Sequence, residues 1–127
     1  MTQDVVGTEQ NPVFIHRGVH FTPSSYDADI TANNTAQGGA LATGVKLGGG
    51  MLYVYNKGTG NVRLTFGTSQ TNADDNLNIA ANAATTGILI PAGVWIPPIS
   101  VPDLSTHYST CNDVAGETPV LAVNQGV

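Results

Sequence analysis

The chain has 127 residues, a net charge of −5, and only 10% Asp, Glu, Lys and Arg, where an ordinary soluble domain carries about 25%. That is one domain whose surface is kept wet by hydroxyls and amides rather than by ions. The four fixed cations, Arg17, Lys46, Lys57 and Arg63, are scattered, which argues against direct nucleic-acid binding, because counterion release needs several clustered cations.

Uncharged polar groups can be buried against a neighbour if they find hydrogen bonds, without the larger cost of desolvating an ion. The composition therefore suits a surface packed against other protein. A domain of this length buries roughly two thirds of the surface its unfolded chain exposes, so no disulfide is required. Cys111 is the single cysteine, and with no activating base beside it, it reads as a small buried hydrophobe. Residues 1–5 show no basic start followed by an apolar run, so they do not read as a signal peptide. The mostly apolar stretch from Gly87 to Val101 is broken by Pro91, Pro97 and Pro98 and is too short to cross a bilayer as a helix. The expectation is synthesis in a cytosol and no membrane partner.

Along the chain, Val13-Phe14-Ile15 and Val19-His20-Phe21 are short strand candidates around His16-Arg17-Gly18. Ser24 to Lys46 is rich in Ala, Thr, Asn and Gly, a composition that buries little and favours no single conformation. Residues 1–47 thus read as an extended arm ending in a long loop. One or two strands added to a sheet edge are the alternative. Gly48-Gly49-Gly50 is the joint, and residues 48–127 form the folded domain.

Past the glycines the pattern sharpens. Met51 to Tyr55 is a strand by its β-branched and aromatic content. Lys57 to Gly60 accepts positive φ. Val62, Leu64 and Phe66 alternate with Arg63 and Thr65, a period of two with one buried face. Together these predict a β-hairpin. Thr68 to Thr86 is a polar connection, in which Ile79 to Ala84 has room for a helical turn or two but too few large apolar residues for a stable helix.

Gly87 to Ile90 and Val94 to Ile96 read as strands around a Pro91-Ala92-Gly93 turn, and Pro97-Pro98 ends the hydrogen bonding on one edge. Ile99 to Val101 resumes, Pro102-Asp103 turns, and Thr106 to Cys111 is the next strand. Asp113 to Glu117 turns, and Val120 to Val123 is the last strand. Short strands at a spacing of about ten residues, with turn signals between them, indicate an all-β fold. The expectation is an antiparallel β-sandwich, jelly-roll-like or Greek key. Its core is Leu52, Val54, Val62, Leu64, Phe66, Ile88, Ile90, Trp95, Ile99, Val101, Leu121 and Val123, each contributing about 1.5–3 kcal/mol on burial.

No chemistry-bearing motif survives scrutiny. In a strand, His16 and His20 lie about 13 Å apart, too far to share an ion. His107 reads as a structural histidine. Asp27 and Asp29 open like a calcium loop, but Ala32 stands where the sixth-position glycine belongs and Gly38 where the bidentate acid belongs. A looser calcium site on Asp27 and Asp29, or on Asp74 and Asp75, is weighed against plain solvated acids. Gly48 to Gly50 is followed by no Gly-Lys-Ser/Thr and is no phosphate cradle. No serine has a Gly-x-Ser-x-Gly setting, and no pair of acids is placed to split its pKa values. Asn33-Asn34-Thr35 matches a glycosylation sequon, which carries no weight without secretion. No catalytic, cofactor or metal residue is expected, and the chain does not read as an enzyme.

Asn56 to Gly60, Phe66-Gly67-Thr68, Ile90 to Gly93, Val101-Pro102-Asp103, Thr106-His107 and Val123 to Gly126 follow one another along short strands. In this order they resemble the small β-sandwich decoration, or cement, proteins of tailed-bacteriophage capsids; similar sandwiches serve as tail and fibre modules. The resemblance covers residues 50–127, not the arm, and transfers no functional residue. It implies a structural virion protein made in the host cytoplasm and carried on the capsid exterior. There it would bridge subunits of the major capsid protein as a homo-oligomer, with a trimer favoured and a dimer the other option. Val13, Phe14, Ile15, Phe21 and Tyr26 of the arm would touch the shell or sister subunits. The alternatives are a head–tail connector, a tail or fibre part, or a receptor-binding module reading a glycan with Tyr53, Tyr55 and Trp95. Against the last, Trp95 lies between Val94 and Ile96 and reads equally as core.

Overall fold

The computed structural model describes residues 5–8, 11–14, 22–42, 45 and 50–127. β1 (Val5–Thr8) and β2 (Asn11–Phe14) pair with each other as an antiparallel hairpin. There follow β3 (Pro23–Thr31), β4 (Gln37–Ala40), β5 (Met51–Asn56), β6 (Val62–Gly67), α1 (Gln70–Asp75), β7 (Ile79–Ala80) and β8 (Ala83–Ala84). The chain ends with β9 (Ile88–Ile90), β10 (Ile99–Ser100), β11 (His107–Asn112) and β12 (Val120–Gly126).

Two four-stranded sheets carry the fold, ordered β10-β5-β12-β3 and β4-β11-β6-β9. Every neighbouring pair is antiparallel. Strand β3 pairs with β12, β4 with β11, β5 with β10 and β6 with β9. These pairs are nested, like the rungs of one long hairpin whose tip is the α1–β8 segment. Successive rungs fall in alternate sheets. The ribbon is then closed on itself by β12 against β5 and β11 against β6. This is an eight-stranded jelly roll, and the expected antiparallel sandwich is what forms.

The core lies between the sheets. Strand β5 buries Leu52 and Val54, and β12 buries Leu121 and Val123. They face Val62 and Leu64 of β6, Ile90 of β9 and Tyr108 of β11. Gln125 clamps the sheets at one end: its Oε1 accepts from the Ala42 N–H at 2.6 Å, and its Nε2 donates to the Ala40 carbonyl at 3.4 Å. The tip of the ribbon lies on the outer face of the second sheet. The Thr65 hydroxyl donates to the Ala73 carbonyl at 2.6 Å, and a Cβ on Gly67 would run into the Ala73 backbone. Leu77, Ala84 and Cys111 form a small second core beneath this roof.

Several sequence expectations are corrected. Residues 22–42 are not a loop of the arm: β3 and β4 are edge strands of the two sheets, and Ala32, Leu41 and Val45 belong to the core. The sandwich therefore begins well before residue 48, and the edge-strand alternative holds. Edge pairing is made by main-chain groups, so a Thr-, Asn- and Gly-rich segment can supply it. Gly38 even requires its lack of a side chain, since a Cβ there would strike the Tyr108 carbonyl.

The hairpin expected from β5 and β6 is also absent, because these strands lie in different sheets. Their connection is an arch organised by the buried Asn56 side chain, which bonds to three backbone groups. The helical turn comes earlier than expected. Ser69 caps α1 by accepting from the Asn72 N–H at 3.1 Å. Ile79 to Ala84 forms a tight hairpin instead, with Ala81 and Asn82 at φ of 52° and 65°, the two left-handed residues of a type I′ turn. Val94 to Ile96 is not a strand, and Trp95 is not core. Ile88 and Trp95 are exposed, while Phe66 and Ile99 pack at the core's margin.

Candidate functional site

The outer face of the β10-β5-β12-β3 sheet is the candidate site. Alternation along β5 turns Met51, Tyr53 and Tyr55 outward, because Leu52, Val54 and Asn56 are buried. Register then builds the face row by row. Ala122 stands opposite Tyr55, and Asn124 opposite Tyr53. Asp29 of β3 stands opposite Ala122 on the other side of β12.

Trp95 reaches this face from the β9–β10 connection. The Gly93 N–H donates to the Asn56 carbonyl at 3.0 Å, the Ala92 N–H donates to Asn61 Oδ1 at 3.2 Å, and Gly93 takes φ of 68°. The turn sends the chain back along β5, and the indole lands on Tyr55, with ring centroids 4.3 Å apart and planes at 23°. Tyr53 meets the same indole at 5.9 Å and 46°. Such ring pairs contribute about 0.5–1.5 kcal/mol beyond area burial. Trp95 nevertheless stays 66% exposed: one ring face is held by tyrosine and the other looks into water. Lys57 Nζ lies 2.6 Å from Asp29 Oδ2 at the edge of this face, both side chains being well exposed. A concavity beside it is lined, among the described residues, by Ala28, Asp29, Ala122 and Asn124.

Compared with protein-family models, with curated proteins and with solved structures, the chain matches none.

A second exposed feature lies on the other sheet. Leu64, Phe66, Ile88 and Pro102 line a shallow apolar notch with Thr65, Asn76 and Gly87. In the following loop Leu104 is 69% exposed and adopts φ of 68°.

Cys111 is fully buried, its thiol donates to the Asn33 carbonyl at 3.2 Å, and burial pushes its pKa up. That is the environment of an inert thiol. His107 Nδ1 lies 2.8 Å from the Thr106 hydroxyl. Asp74 accepts from Gln70 Nε2 at 2.8 Å and from the Ser109 hydroxyl at 2.6 Å, so it ties α1 to β11. Asp29 is taken by Lys57. Among the described residues, no group of three or more His, Cys, Asp and Glu side chains is placed to hold a metal ion. No helix among them is long and apolar enough to cross a membrane. Val13 and Phe14 lie in β2 and Tyr26 in β3; His16, His20, Ile15 and Phe21 lie outside the described residues.

The sequence singles out the three aromatic residues, and Asp29 only as a calcium-loop acid, but neither Asn124 nor Asp29 as their neighbours. Those come to the same face only through strand register, which no local pattern encodes. The signal that Trp95 leaves the core was present, since Pro91 and Pro97-Pro98 bracket it and deny it a strand.

Proposed function

We propose that this chain is a structural virion protein that decorates a tailed-phage capsid and bridges its subunits, working as a homo-oligomer on the capsid exterior. The observation that carries the reading is the loop after Pro102. There Leu104 is held in the left-handed region, at a cost, and the residue is 69% exposed beside an apolar notch. A strained backbone that keeps a large apolar group in water is explained by a partner that covers it. The rigid jelly roll and a surface poor in ions support the same reading, since uncharged groups are cheaper to bury against a shell.

The test is a copy count. The protein is quantified by mass spectrometry in purified particles against the major capsid protein. Stoichiometry that follows the capsid lattice supports decoration. A few copies per particle would make it a tail, fibre or connector part, and none would end the virion reading.

A further inference from the structure

We infer that Trp95, together with Asn124 on the adjoining strand, forms a binding site for a neutral saccharide, the indole taking the C–H face of a hexopyranose ring and the amide taking its hydroxyls.

Three observations converge. The indole is fixed before any ligand arrives, stacked on Tyr55 at 4.3 Å and flanked by Tyr53, so little ordering remains to oppose binding. The residue as a whole stays 66% exposed, which leaves a flat, apolar ring surface open. The neighbouring row offers Asn124 directly opposite Tyr53, and a carboxamide both donates and accepts, as a sugar hydroxyl does.

Charge selects among ligands. Lys57 and Asp29 on this face neutralise each other at 2.6 Å. Register also sets Asp27 of β3 opposite Asn124, so the arrangement disfavours an anion. Breadth selects as well. A stable protein interface buries about 800 Å² per partner around an apolar centre. Here Val94 is the only other exposed large aliphatic neighbour in sequence, and Ala122 and Asn124 occupy the adjoining strand. Among the described residues the other large exposed apolar groups are Ile79 in β7, Ile88 and Leu89 at the opposite sheet's edge, Leu104 and Val114 in the loops beside β11, and Val127 just past the end of β12. The most exposed apolar group on this face is the single indole of Trp95.

Trp95 is the single tryptophan of the chain, so indole fluorescence reports on this site alone. The intact protein is titrated with maltohexaose and with cellohexaose, covering α- and β-linked neutral hexoses. A saturable emission change is expected with at least one of them. Asn124→Ala should weaken it at least tenfold. Trp95→Ala, followed by titration calorimetry because the fluorophore is gone, should abolish binding while the thermal midpoint stays near that of the parent, as suits an exposed ring. Absence of a saturable change with both sugars overturns the proposal, as does undiminished binding by Trp95→Ala. Emission that shifts on dilution without sugar would assign the indole to a second copy of the chain and overturn it equally.

Discussion

Asn56 on β5 and Ile90 on β9 are joined across the two sheets, the Asn56 Nδ2 donating to the Ile90 carbonyl at 3.1 Å. The same nitrogen donates to the Gly60 carbonyl at 2.7 Å, and Oδ1 accepts the Gly58 N–H at 2.9 Å. One buried amide thus serves three main-chain groups and holds the arch that carries the chain from one sheet to the other. Asn56→Leu removes every one of these bonds at similar volume. Each buried group left unsatisfied costs about 1–3 kcal/mol, so the urea midpoint should fall markedly. An unchanged midpoint would mean the arch stands without its amide.

Deletion separates the arm from the sandwich. Loss of residues 1–47 removes β3, β4 and the core residues Ala32, Leu41 and Val45, so that fragment should lose cooperative thermal unfolding. Loss of residues 1–21 leaves in place every core residue among the described ones and should preserve it. Particle binding by this shorter deletion then tests whether Val13, Phe14, Ile15 and Phe21 make the attachment; normal binding would show that they do not.

Two left-handed residues invite glycine. Ala81 and Leu104 sit at φ of 52° and 68°, where a Cβ costs roughly 1–2 kcal/mol, partly offset by the flexibility glycine adds to the unfolded chain. Ala81→Gly should stabilise the protein by up to about 1 kcal/mol and leave particle binding intact. Leu104→Gly should match that gain and weaken attachment. A Leu104→Gly variant that binds particles as the parent does would remove the observation on which the decoration reading rests.

Cys111 makes stability depend on pH in the alkaline range. Burial raises its pKa above the ordinary 9.0, so the folded thiol keeps its proton where the unfolded one has lost it. The contribution is full below the unfolded value and declines as pH rises through it toward the folded value. Cys111→Ala should flatten that decline in denaturant melts. A disulfide-exchange reagent should label the native chain far more slowly than the unfolded one, whereas equal rates would place the thiol in solvent.

Much of the β framework is legible because alternation marks a strand and its buried face without outside help. Leu52 and Val54, Val62 and Leu64, and Leu121 and Val123 are core as their period of two requires. Alternation does not say which strand pairs with which. The glycine-rich turn after Asn56 suits a hairpin and an arch equally, and the decision falls to a bond with Ile90, far along the chain. Strand β3 hides because its apolar alternation is brief, only Tyr26, Ala28 and Ile30 against Asp27 and Asp29, within a segment of otherwise small and polar residues; Ile30 packs against the core. Trp95 misleads because Val94 and Ile96 give it apolar neighbours in sequence, whereas its contacts are Tyr53 and Tyr55. The aromatic half of the candidate site is therefore readable from composition, and the polar half only from register.

The nested ribbon also orders events during synthesis. β12 is the last strand of the domain to be made, yet it pairs with both β3 and β5. β3 leaves the ribosome early and must wait for a partner almost a whole domain away, with its edge open to other chains. Contacts so distant in sequence close slowly, and unpaired edges invite aggregation meanwhile. The sparse apolar content of Pro23–Thr31, so uninformative about its place in the sheet, is what lets that strand wait without sticking.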